Sequence, residues 1–69
     1  MREDSKLFWA VCYEIEDYRR LGMSPRRIYM STSTYDAVRE DIGVHVIDNI
    51  RGVPVILDTA QVEPMRVEV

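Results

Sequence analysis

The chain has one cysteine and one histidine among its 69 residues. Cys12 alone cannot close a disulfide, and Cys12 with His45 falls well short of the four ligands of a closed structural zinc site. Lysine is equally scarce, since Lys6 is the only one and every other cation is arginine. No apolar run approaches the roughly 20 residues that cross a bilayer, which excludes a membrane-spanning helix. The opening MREDSK has neither the apolar core nor the small-residue cleavage site of a signal peptide, so the chain is expected in the cytosol.

What remains is a small acidic chain. At this length only about 60% of the unfolded surface is buried on folding, and stability is roughly 3–5 kcal/mol unless something is added. With disulfides and structural metal excluded, the addition expected is a protein surface, supplied by a second copy or by another protein. The formal charge of −3 and a pI near 5.0 lack the basic footprint of a nucleic-acid binder. The arginine bias suits bidentate and stacked contacts, although genome base composition produces the same bias.

Along the chain there is no repeat, low-complexity tract or linker, so residues 1–69 are expected to form one domain. Asp4 or Ser5 can cap a first helix, and Leu7, Phe8, Val11, Ile15 and Tyr18 follow with helical period. This predicts a helix over 5–21, with Arg19 and Arg20 in its last turn, Gly22 at its C-terminal stop and Pro25 beyond. The stretch LFWAVCY carries a second apolar stripe, Trp9 and Tyr13, so nearly the whole helix circumference is apolar. Two readings stay open for it: a contact with a second molecule, or Trp9 folding back over the rim of its own core.

RIYMS alternates and predicts a strand over 27–31. Ser33, three residues before Asp36, is the expected N-cap of a second helix carrying Tyr35, Val38 and Ile42 and ending at Gly43. The runs VHVIDNI and VPVILD predict a hairpin of strands 44–50 and 53–58 about Arg51-Gly52, with Pro54 near an edge or strand start. MRVEV predicts a last strand over 65–69. The order α-β-α-β-β-β points to an α+β domain with both helices packed on a small antiparallel or mixed sheet.

Catalytic signals are weak. The hydroxyl run STST lacks the glycines and lysine of a phosphate loop and the Gly-x-Ser-x-Gly frame of a nucleophile elbow, so capping is its expected role. Ser33, His45 and Asp48 make a triad on paper only, because residues 45 and 48 of a strand point to opposite faces. Asp36, Glu40 and Asp41 can hold a divalent cation weakly, or line a solvated helix face. Cys12 reads as a buried small hydrophobe. We therefore expect no catalytic, cofactor-binding or metal-binding residues and no enzymatic activity.

Four arginines, Arg19, Arg20, Arg26 and Arg27, flank the Gly22–Pro25 turn and are expected to give an acidic molecule one positive end. Such an end can engage an acidic neighbour, including a second copy, or remain solvated. The candidate interface is therefore Phe8, Trp9, Tyr13, Arg19, Arg20, Arg26 and Arg27, in an expected homo-oligomer.

SPRRIYMSTSTYDAV followed by IRGVPVILDTA resembles, over about residues 26–58, a segment of tailed-phage virion proteins, especially major capsid and encapsulin-like shell proteins. There a strand ending in a Met-Ser turn leads to a helix with Tyr and a small residue, and then to a Gly-x-Pro-Val strand. The chain lacks the long extended loop and most of the length of a shell protein. The resemblance implies a small phage-related structural or assembly protein, in the host cytoplasm or the virion, with no catalytic residues to carry over. The alternative, from another class, is a small inhibitor or regulator of a host enzyme or defence complex.

Overall fold

Both helices stop where the chain turns left-handed. The computed structural model describes residues 6–69, and α1 (Lys6–Arg20) ends in a Schellman motif at Gly22. There the Gly22 N–H donates to the Arg19 carbonyl (3.0 Å) and the Met23 N–H to that of Tyr18 (2.9 Å), which satisfies carbonyls that α1 itself leaves open. The expected caps Asp4 and Ser5 lie outside the described residues. Helix α2 (Thr32–Ile42) ends the same way at Gly43 (φ 72°), with Val44 N–H reaching back to the Arg39 carbonyl at 3.2 Å.

Four strands form a mixed sheet in the order β2-β3-β1-β4: β1 (Arg27–Met30), β2 (Asn49–Ile50), β3 (Val53–Leu57) and β4 (Met65–Glu68). Central β1 pairs parallel with β3, Ile28 opposite Val55, and antiparallel with β4, Ile28 opposite Val67. Its inward side chains Ile28 and Met30 are completely buried, each worth about 1.5–3 kcal/mol of apolar burial. Val11, Cys12 and Ile15 of α1 and Val38 of α2 meet them, with Ile47, Ile50 and Val53 closing the core. The α+β order expected from the sequence is the order observed.

Two local expectations need correction. The N-cap of α2 is Ser31, not Ser33. Ser31 continues the extended backbone of β1 (φ −66°, ψ 163°), its Oγ accepts the Thr34 N–H, and its carbonyl accepts the Tyr35 N–H at 2.9 Å. Only Ser33 has an acid three residues on, but any of the four consecutive hydroxyl residues can cap, and the end of β1 decides among them.

The strand expected over 44–50 is reduced to Asn49–Ile50. Ile47 and Ile50 are both buried while Val44 and Val46 are exposed, and burial three residues apart breaks the two-residue period of a strand. The Ile47 N–H bonds instead to the Tyr35 hydroxyl (3.0 Å).

Pro54 lies near a strand start, one of the two places expected for it, as the second residue of interior β3. The turn Arg51-Gly52 has positive φ at both residues (54° and 80°), the geometry of a two-residue hairpin. Ile50 and Val53 close it, and the next hydrogen bond runs from Val55 N–H to the Asp48 carbonyl (3.1 Å). Pro54 opposite Asn49 is thus at a position where β2 asks for no N–H.

Candidate functional site

The inward stripe of α1 is complete without its aromatic residues. Val11, Cys12 and Ile15 are buried, and half-buried Phe8 packs against the same core. Trp9 and Tyr13, one turn apart, project away from it with 39% and 65% of their surface exposed, and Leu7 is exposed beside them. Phe8 is a support and not a surface anchor: its ring meets that of Trp9 edge-on, centroids 5.6 Å apart. A further contact fixes the start of α1, where the Phe8 N–H donates to Asp41 Oδ2 at 3.3 Å. A carboxylate from α2 thus satisfies a first-turn donor of α1.

At the other end of α1 the hairpin turn docks. Arg19 donates to the Arg51 carbonyl (2.9 Å) while pairing with Glu16 (3.3 Å). The Arg51 guanidinium lies by the Cys12 sulfur and near Glu16 and Tyr13, which hold its protonated form further above the ordinary arginine value. Arg51 therefore borders the aromatic face, a neighbour the sequence concealed because it arrives through a turn more than thirty residues away. The sequence signal was its place beside Gly52 between two β-branched runs, which marks a hairpin turn, and its φ of 54° agrees.

The four arginines of the expected positive end are largely occupied one by one. Arg20 pairs with Asp17 (3.2 Å) on an exposed surface, and Arg27 pairs with Glu68 across the sheet at 2.6 Å. Glu68, with the Tyr29 hydroxyl, raises Arg27 above its ordinary value. Arg26 is exposed, with its backbone N–H on the Glu68 carbonyl. Each pair faces solvent, where water and salt screen it, so these arginines are exchangeable contacts more than structural ones.

Nothing gathers catalytic groups. Ser33 is exposed in the first turn of α2, His45 and Asp48 are exposed between α2 and β2, and no hydrogen bond joins them. Of the acidic cluster, Asp36 pairs with Arg39 (3.3 Å) and Asp41 is turned to α1. Among the described residues no group of three or more His, Cys, Asp or Glu can hold a metal ion, and no helix is long and apolar enough to cross a membrane. No protein-family model matches the sequence, and no curated protein or solved structure matches it.

Proposed function

We propose that the chain is a non-enzymatic interaction module that works by assembly with further copies of itself in a phage-related structural context. Its contact surface is the outer face of α1, Trp9 and Tyr13, rimmed by Arg51 and by the arginines about the α1–β1 connection. The observation that supports this is the exposure of both rings on a helix whose inward face is already filled. Trp and Tyr supply large contact area at low entropic cost, and Arg pairs with either ring face or carboxylate, so this composition is that of an interface centre. The segment that resembles phage shell proteins folds as β1, α2, β2 and β3, and the outer face of α1 that carries Trp9 and Tyr13 lies outside that segment.

Trp9→Ala tests the reading. Truncating an anchor at the centre of a contact costs about 2 kcal/mol or more, roughly thirtyfold in affinity. Light scattering at tens of micromolar should show wild-type protein above monomer mass and Trp9→Ala closer to it, with Val62→Ala, at a position 94% exposed in a separate loop, unchanged. A wild-type mass indifferent to Trp9→Ala overturns the proposal.

A further inference from the structure

The two edges of the sheet are not alike. On one side β2 is two residues long and the irregular 44–48 segment runs into it, so little of its edge can be templated. On the other, β4 presents four residues with no proline and no inward-pointing charge among them, the devices by which a protein usually blunts an edge. Among the described residues no strand lies beyond β4.

Which backbone groups this edge offers follows from its ladder with β1. The Ser31 N–H donates to the Pro64 carbonyl (3.1 Å) and the Arg26 N–H to the Glu68 carbonyl (2.7 Å), so the even-numbered residues of β4 bond inward to β1. Hydrogen bonding alternates along an antiparallel strand, which leaves the N–H and C=O groups of Met65, Val67 and Val69 directed outward. The side chains alternate as well. Met65 and Val67 point to the core face, half-buried, and Val69 continues their row with 57% exposure, while Arg66 and Glu68 stand on the outer face.

We infer that β4 pairs antiparallel with β4 of a second copy, about a two-fold axis at Val67, joining the two sheets into one. MRVEV is complementary to itself in this register alone. Val67 then meets Val67, Met65 meets Val69, and Arg66 of each copy stands opposite Glu68 of the other. The outward N–H and C=O groups of Val67 and of the Met65–Val69 pairs face one another and bond reciprocally. Registers one residue away set an outward-bonding residue against an inward-bonding one and lose the ladder. The next registers in either direction keep it but set Arg66 against Arg66 or Glu68 against Glu68, and like charges directly opposite are destabilising.

Existing contacts prepare the charged row. The Arg66 guanidinium lies over the Tyr29 ring, its Cζ 4.3 Å from the ring centre, which holds it to the outer face of the sheet. Glu68 already accepts from Arg27 and from the Tyr29 hydroxyl (3.2 Å). Across the seam the outer face reads Tyr29, Arg66, then Glu68 and Arg27 of the second copy, and the reverse on the return. On the inner face the apolar row passes uninterrupted from one core to the other. An edge this short buries less than the roughly 1,000 Å² of a durable interface, so the dimer is reversible and concentration-dependent. It uses no residue of the α1 face and stands independently of the contact through Trp9.

The test is a charge exchange read by analytical ultracentrifugation from tens of micromolar to about millimolar. Arg66→Glu leaves only acids at the seam and Glu68→Arg only arginines. Each alone should associate about tenfold more weakly than wild type or worse, whereas their equimolar mixture, in which every Glu again meets an Arg, should recover dimer. Far-UV circular dichroism verifies that both variants are folded. A wild-type protein monomeric throughout, variants that dimerise as wild type does, or a mixture that recovers nothing each overturns the inference. Amide exchange on the wild type needs no variant: the Val67 N–H should gain protection with rising concentration, and one indifferent to concentration refutes the seam. Trp9→Ala should leave this protection unchanged.

Discussion

Ser31→Ala is the substitution that best separates the observed cap from the one the motif suggests. Ser31 and Thr34 are buried, and the Ser31 Oγ both accepts the Thr34 N–H (3.4 Å) and donates to Thr34 Oγ1 (3.0 Å). Loss of an N-cap costs about 1 kcal/mol, and the length of this bond argues against the upper end of that range. The hydroxyl–hydroxyl bond contributes roughly another 0.5–1 kcal/mol. Together they make about 1–2 kcal/mol, a large share of the roughly 3–5 kcal/mol available to so small a domain. In thermal unfolding that is a fall of roughly 5–15 °C. Ser33→Ala, at an exposed first-turn position of α2, should stay within about 0.5 kcal/mol of wild type, since alanine is the better helix former. Urea and thermal denaturation followed at 222 nm measure both. A Ser33→Ala penalty equal to or larger than that of Ser31→Ala would refute the assignment.

Tyr35→Phe removes the acceptor of the Ile47 N–H and should cost about 1 kcal/mol, with faster exchange of the Ile47 amide as its local signature. Unchanged exchange there would show that the 44–48 segment is held by the Ile47 side chain alone. Gly43→Ala places a Cβ at φ 72° with open space around it, so only backbone strain acts, and a loss of about 1 kcal/mol is expected by chemical denaturation.

Helix ends were legible because Gly22 and Gly43 each close a local hydrogen-bond motif, and local motifs need no knowledge of the fold. The outward stripe of Trp9 and Tyr13 was legible for the same reason, since the period of 3.6 residues fixes which side chains share a face. The 44–48 segment was not. Val44, Val46 and Ile47 have the β-branched composition of a strand, but only Asn49 and Ile50 find ladder partners in β3, and Ile47 is claimed by the core and by Tyr35. The place of Pro54 near a strand start was legible, since proline without an N–H fits there, but that the strand is interior depends on β1 pairing from Val55 onward. The Asp41–Phe8 bond and the approach of Arg51 to α1 are tertiary events between residues 33 and 32 apart, with no local signal at either end. Within the proposed site, the aromatic anchors were readable and the arginine beside them was not. The arginines that did look like a patch are largely neutralised, Arg27 by Glu68 four elements further on and Arg19 and Arg20 by acids one turn away.

The central place of β1 also governs the order of events during synthesis. Both strands that flank it, β3 and β4, come from the last third of the chain. At roughly 5–20 residues per second, Ile28 emerges from the ribosome some seconds before Val55 and later still before Val67. For that interval Ile28 and Met30 lack the cover that comes with β3 and β4, and both edges of the β1 segment are without their partners. The nascent chain is therefore an open template flanked by two amphipathic helices, and until β3 arrives its available partners are chaperones or the equally unfinished chains on neighbouring ribosomes. If the finished surface contacts copies of itself as proposed, the chain meets that choice first while it is still being made.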